Sequence, residues 1–267
     1  MHIESRGAGT PIILIHGFGV DHRILLPLDP VLEAAGGWRR VYLDLPGMGQ
    51  TPIGSIAGAQ AMADAVAEAV REVVGDEPFA VLGNSFGAVM ARSVAQRFEQ
   101  QVLGLATIAG VFQSSHALRD VPPRTVLHAD PSLYDGVDAR TAQGYRDFSV
   151  VESAAGLRNF VETVQPGVDA ADPAAIESIS RNYTLDIEPE DAASAPFDKP
   201  ALFIAGRQDD VVGYADAWRR LEHYPRASLL VLDAAGHNLL GEQPRLVDAA
   251  VAEWLGRVRA ASASAAA

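Results

Sequence analysis

Apolar positions along the chain follow two rhythms. Short unbroken runs rich in β-branched residues occur at 11–15, 40–45, 79–82, 102–110, 200–206 and 228–232. Runs of that length without polar alternation predict strands buried on both faces, and so a parallel sheet. Between them, residues 57–74, the alanine-rich stretch after Gly87, and residues 215–223 and 242–259 place apolar side chains at helical intervals. The last of these carries Leu246, Val247, Val251, Trp254, Leu255 and Val258 along one stripe. Strands alternating with helices specify a doubly wound α/β fold, a mostly parallel twisted sheet with helices on both faces.

The alternation lapses between 111 and 195. Pro122-Pro123, Asp130-Pro131, Gln165-Pro166-Gly167 and Asp172-Pro173 punctuate this region, and the segments between them (139–149, 154–164, 174–183) are helical in character. With no strand-like run there, the pattern predicts a helical insertion at 111–195 in a core made of 1–110 and 196–260. The alanine- and serine-rich end, 261–267, reads as a flexible tail.

Composition narrows the partners. A net charge of −13 opposes binding to nucleic acid or to anionic membrane surfaces. The absence of cysteine rules out disulfides, thiolate catalysis and cysteine-ligated metals. No stretch approaches the ~18 uninterrupted apolar residues of a membrane span, and Met1 to Arg6 lacks a basic, then apolar, secretory leader. The expectation is a cytoplasmic protein acting on a small molecule. Nothing in the pattern marks an oligomeric state.

Chemistry concentrates where the predicted strands end. The run at 79–82 stops in Gly83-Asn84-Ser85-Phe86-Gly87, a G-x-S-x-G sequence between a strand and a helix. A turn that sharp needs small residues two positions either side of the serine, and Gly83 and Gly87 supply them. The first strand ends in His16-Gly17-Phe18-Gly19, and the two late strands end in Gly206-Arg207-Gln208-Asp209-Asp210 and Ala235-Gly236-His237-Asn238. In a parallel sheet all these loops share one edge. The chain order Ser85, Asp209, His237 is the order this architecture uses for nucleophile, acid and base.

Each residue type suits its task. A serine hydroxyl is a weak nucleophile until an imidazole takes its proton, and a carboxylate holds that imidazole in the right tautomer. The backbone N–H groups of Phe18 and Phe86 are the candidate oxyanion donors, a single such donor contributing ~3 kcal/mol or more. His16, opening the glycine turn, is assigned to shaping that loop. The Gly-x-x-Asp spacing picks Asp209, leaving Asp210 as a solvated or cap-facing neighbour. A metal-dependent reading on His16, Asp209, Asp210 and His237 finds no H-E-x-x-H or comparable spacing. Neither a metal nor another cofactor is therefore expected.

The motifs His16-Gly17-Phe18-Gly19, Asp44-Leu45-Pro46-Gly47-Met48-Gly49, Gly83 to Gly87, Gly206 to Asp209 and Gly236-His237 together resemble the α/β-hydrolase superfamily over nearly the whole chain outside the insertion. The resemblance implies a serine-nucleophile, esterase-like enzyme with Ser85, Asp209 and His237 as triad, Phe18 and Phe86 at the oxyanion hole, and a helical cap over the pocket. It also implies that the leading strands are reduced to one near Met1 to Arg6. The expected reaction is hydrolysis of a carboxylic ester or related acyl bond through an acyl-serine. C–C bond hydrolysis, lactone hydrolysis, cofactor-free haloperoxidation or lyase chemistry on the same triad remain alternatives, as does a non-catalytic small-molecule receptor. Among the cap aromatics, Tyr134, Tyr145, Phe148, Phe160 and Tyr183 are candidates to line the pocket.

Overall fold

The computed structural model describes residues 1–265. Seven strands form one sheet in the order β1-β3-β2-β4-β5-β6-β7. They are β1 (His2–Arg6), β2 (Thr10–Ile15), β3 (Trp38–Asp44), β4 (Phe79–Asn84), β5 (Val102–Ile108), β6 (Ala201–Gly206) and β7 (Ala227–Leu232). All neighbours pair in parallel except β1, which runs antiparallel along β3 and closes that edge. The unbroken apolar runs are the central strands: Ile12 to Ile15 and Phe79 to Leu82 have no solvent exposure. β7 is an edge strand, and most of its residues are half-buried.

Helices α1 (Asp29–Ala35), α2 (Ala59–Val74) and α3 (Phe86–Arg97) follow the first strands. Spacing alone does not announce α1, a short helix with proline in its first turn after a 3-10 segment, His22–Leu28. In α2 the stripe Met62, Ala63, Val66, Ala67, Val70 and Val74 is buried, and Gly75 ends it at φ 55°. α3 is buried from Phe86 to Ala95, packing on β4, β5 and α2.

Between β5 and β6 the chain forms α4 (Ala139–Phe148), α5 (Ala154–Asn159), α6 (Gln165–Ala170), α7 (Pro173–Arg181) and α8 (Pro189–Ala192), with a π turn, Phe160–Val164, joining α5 to α6. Among the described residues this region contains no strand, only an isolated bridge between His128 and Val151. α9 (Ala215–Arg219) and α10 (Leu239–Glu242) precede the long α11 (Pro244–Ala265). α11 lies against α1, β5 and β6, burying Trp254, whose indole N–H donates to the Pro200 carbonyl at 3.1 Å.

α11 differs from the sequence expectation at its end. Residues 261–265, expected as loose tail, continue the helix, because alanine has the highest helix propensity and the preceding turns are already formed. The rest of that tail, 266–267, lies outside the described residues. No helix among the described residues is long and apolar enough to cross a membrane.

Both ends of the 111–195 region are fastened to α3 by one buried cation. Arg92 donates to the Val111 carbonyl at 2.7 Å, to Glu190 at 2.7 and 2.5 Å and to Glu188 at 3.0 Å. The Tyr224 hydroxyl adds a bond to Glu190 at 2.5 Å. Burial alone drives the Glu190 carboxyl up, but the Arg92 charge and hydrogen bonds overcome it and hold it down at about 2.

Candidate active site

The serine lies where β4 turns into α3. Ser85 has φ 51° and ψ −118°, a left-handed conformation that costs an L-residue ~1–3 kcal/mol. The surroundings leave it no relaxed alternative. A Cβ on Gly83 would strike the backbone of Gly87 and Ala88, and one on Gly87 would strike the carbonyls of Ile15 and His16, so strand, turn and helix are packed backbone to backbone. Ser85 N–H donates to the Ile108 carbonyl at 3.0 Å, and its own carbonyl accepts from Ala88 at 3.0 Å and Val111 at 3.1 Å.

The three residues expected to act together meet in one row. Ser85 Oγ lies 2.9 Å from His237 Nε2, and His237 Nδ1 lies 2.9 Å from Asp209 Oδ2. The other carboxylate oxygen, Oδ1, accepts from the N–H groups of Val211 and Val212, both at 2.9 Å. Asp209 is wholly buried. Burial raises its pKa, but the charge and hydrogen bond of His237 and the two N–H groups outweigh this and lower it overall. An ionised Asp209 requires Nδ1 of His237 to carry the hydrogen, which leaves Nε2 free to accept the serine proton.

Asp210 points elsewhere. Its carboxylate pairs at 3.3 Å with Arg124, from the segment between β5 and β6.

His16 lies in the neighbouring loop and is fully buried. Its Nδ1–H donates to the Gly17 carbonyl at 2.6 Å while Nε2 accepts from the Leu45 N–H at 2.9 Å. Burial lowers its pKa, so this imidazole stays neutral and both nitrogens are committed to loop structure. The turn after β3 is braced in the same way. Asp44 accepts from the His22 N–H and Nδ1 at 3.0 and 2.8 Å and from the Gln50 N–H at 3.0 Å, and Met48 Sδ accepts from the Gly19 N–H at 3.4 Å.

His2, His22 and Asp44 are the group of ligating side chains that comes close together among the described residues, away from the set weighed for a metal mechanism.

The side chains of Phe18 and Phe86, whose N–H groups are the expected oxyanion donors, lie in contact. Their rings meet edge to face with centroids 5.6 Å apart, and Tyr183 packs on both at 5.4 and 4.5 Å. Phe86 opens α3, where an N–H has no acceptor within the helix.

Not all the candidate aromatics between 111 and 195 reach the row. Phe148 meets the His237 ring edge-on at 5.9 Å, and Phe160 packs against Phe148 at 6.0 Å. Tyr145, fully buried, exchanges hydrogen bonds with the backbone of Ser153 and is packing, while Tyr134 is covered by the Arg146 guanidinium at 3.9 Å. A cavity of about 370 Å³ is lined by Phe18, Val20, Gly144, Phe148, Phe160 and Val164, with Arg140, Asp147 and Gln165 among its polar neighbours; Phe148, which meets the His237 ring, links it to the row.

The profile of the alpha/beta hydrolase fold family matches residues 10–146, just over half the chain. The chain belongs to the α/β-hydrolase family. Similar curated proteins include the pimeloyl-[acyl-carrier protein] methyl ester esterase of Shewanella woodyi, 25% identical over 89% of this hydrolase and 90% of the relative. The enzyme of the same name from Xanthomonas campestris pv. campestris is 27% identical over 93% of this chain and 96% of its own. Among solved structures, an alpha/beta superfamily hydrolase from Oenococcus oeni superposes with a TM-score of 0.88 at 24% identity, covering 96% of each chain.

Two residues of this hydrolase that touch the site loops escaped the sequence reading. Glu242 accepts from the Gly236 N–H, directly before His237, and Asn238, directly after it, donates to Ser149. An acidic side chain in the otherwise apolar Leu239-Leu240-Gly241-Glu242 turn was the available sign of the first.

Proposed function

We propose that this α/β-hydrolase is a serine esterase that cleaves carboxylic esters of small, partly apolar acids through an acyl-enzyme on Ser85. What carries the reading is the unbroken row from Ser85 Oγ through His237 to buried Asp209, with both links at 2.9 Å.

In acylation, Ser85 Oγ attacks the ester carbonyl carbon as its proton passes to His237 Nε2. Asp209 offsets the positive charge that the ring gains. The carbonyl oxygen becomes an oxyanion received by the N–H groups of Phe18 and Phe86. Collapse breaks the bond to the alcohol oxygen, which leaves with the proton from Nε2. Water then repeats the sequence on the acyl-serine, giving its proton to Nε2 and releasing the acid as Ser85 regains the hydrogen.

The acyl group is assigned to the cavity beside Phe18, Phe148 and Phe160, whose volume of about 370 Å³ suits a small to medium ligand. Residues 111–195 act as the cap over it. The relatives' name, a methyl ester esterase, describes the same bond type and supports the assignment.

Purified protein is to be screened on nitrophenyl esters of graded acyl length, a pimelate methyl ester, lactones, amides and diketones, with Ser85→Ala as the blank. Ester turnover absent from the variant is the expected result. Turnover that survives Ser85→Ala, or a preference for diketone C–C cleavage, overturns the proposal.

A further inference from the structure

The loop that carries His237 is held from the cap side. Glu242, at the end of α10, accepts the Gly236 N–H at 2.7 Å on Oε2 and the N–H groups of Val150 and Val151 at 2.6 and 3.1 Å on Oε1. Asn238 Nδ2 donates to Ser149 Oγ at 3.0 Å, and both residues are buried. A Cβ on Gly236 would stand 2.6 Å from Val150 Cγ1, so glycine is what lets the two segments approach. The residues on either side of the imidazole are therefore tied to one cap stretch, Ser149 to Val151, while Phe148 lies edge-on to the ring itself.

We propose that Glu242 is a positioning residue that couples the cap to catalysis: through its carboxylate, Ser149 to Val151 sets the reach of His237 toward Ser85. The chemistry of the contacts fixes its working form. All three partners are N–H donors, so both oxygens must accept, which is the geometry of a carboxylate and not of an acid. Burial raises the Glu242 carboxyl's pKa, the three N–H groups oppose that, and the nearby charge of Asp209 adds to the rise. The other ionisable groups around it are His237, next to Gly236, Arg124, which donates to the Ser149 carbonyl, and Glu152, which follows Val151. A half-buried charge kept near another carboxylate is a cost to folding, and the tie across the cap is what it secures.

The inference rests on the esterase reading, and the test separates the two. Glu242→Gln in the full chain keeps the reach but sets an NH2 where one oxygen accepts, so it loses either Gly236 or the Val150–Val151 pair. The readouts are kcat and KM on a nitrophenyl ester, the rate at which a fluorophosphonate labels Ser85, and thermal melting. Expected are falls in kcat and labelling that run in parallel, roughly ten- to a hundredfold, from a displaced imidazole. KM should stay within about twofold, with the protein fully folded at assay temperature.

Ser149→Ala removes the parallel tie. Because both act on one loop, the loss in the double variant should be less than the product of the single losses. If Glu242→Gln does not fold, Asn238→Ala carries the test, with the same kcat and labelling loss at unchanged KM. Labelling and kcat within twofold of the parent in a folded variant, or losses that simply multiply, overturn the proposal. A parent protein whose Ser85 is not labelled at all sinks the esterase reading instead.

Discussion

Replacing Asp209 by asparagine separates the tautomer argument from mere loss of a contact. Oδ1 of Asp209 is engaged by the Val211 and Val212 N–H groups, both at 2.9 Å, and Oδ2 by His237 Nδ1 at 2.9 Å. An asparagine satisfies the two backbone donors only with its oxygen on that side, which turns its NH2 toward Nδ1. The imidazole must then accept at Nδ1 and carry its hydrogen on Nε2, where it faces Ser85 Oγ as a donor and cannot take a proton. In a serine protease the corresponding change lowers kcat about 10⁴-fold, equivalent to about 5.5 kcal/mol of barrier, and the same loss is expected here. KM should barely move, because Asp209 touches the histidine and not the substrate.

The paired control is Asp210→Asn, whose partner is Arg124 at 3.3 Å, and it should stay within about twofold of the parent. Stability provides a second readout. The folded pKa of Asp209 is lowered, so its ionised form contributes stability above the ordinary aspartate range and loses it as pH falls through the folded value. The melting gap between parent and Asp209→Asn should accordingly narrow in acid. A folded Asp209→Asn with kcat within tenfold of the parent refutes the tautomer reasoning.

Ser85→Gly should melt higher than Ser85→Ala by about 1 kcal/mol, since only glycine is at ease at φ 51°, and both should lack ester turnover; equal melting would remove strain from the elbow. Arg92→Met leaves Glu190 buried without its cation and should cost ~3–5 kcal/mol in denaturant unfolding, whereas a loss under 1 kcal/mol would show that the carboxylates find water. Gly144→Val builds into the cavity wall, where an added Cβ would stand 3.1 Å from Phe160; it should lower kcat/KM more for long acyl esters than for acetate, and a uniform change would assign the acyl group elsewhere. Glu242 has the opposite pH sign to Asp209: its raised folded pKa gives stability below the ordinary glutamate value that is lost as pH rises, so Glu242→Gln should gain on the parent in melting temperature from acid to neutral pH.

Residues that act through strand position were legible in the chain, because a parallel sheet turns strand order into spatial proximity. Ser85, Asp209 and His237 each follow an apolar run that reads as a strand, and all three loops open on one edge. What local pattern misses is contact between the core and residues 111–195. Arg92 stands in an apolar helix and reads as a surface charge until the fold brings Glu188 and Glu190 to it. Glu242 likewise finds its partners at Val150 and Val151, far off in sequence and through backbone N–H groups that every residue type carries. The cap aromatics divide for the same reason: helical spacing puts Tyr145 and Phe148 on the same element, α4, yet only Phe148 meets His237. The extra turn of α11 through Ala265 is the simpler case of a strong local propensity continuing a helix already nucleated.

The two halves of the row are secured by different means, and this bears on how the site works. Ser85 is locked from within the core: a strained turn between β4 and α3, wedged by the carbonyls of Ile15 and His16, with no freedom to respond to the cap. His237 sits on a loop fixed by Asp209 on one side and by Glu242 and Asn238, bound to Ser149 to Val151, on the other. On the proposed reading the acyl group sits beside Phe148, which adjoins Ser149 to Val151 in the chain. If the proposed coupling holds, a ligand that settles α4 shifts the base while the backbone that carries the nucleophile stays in place. On that proposal, differences between acyl chains should appear in kcat as well as in KM, since binding energy would go into placing the imidazole.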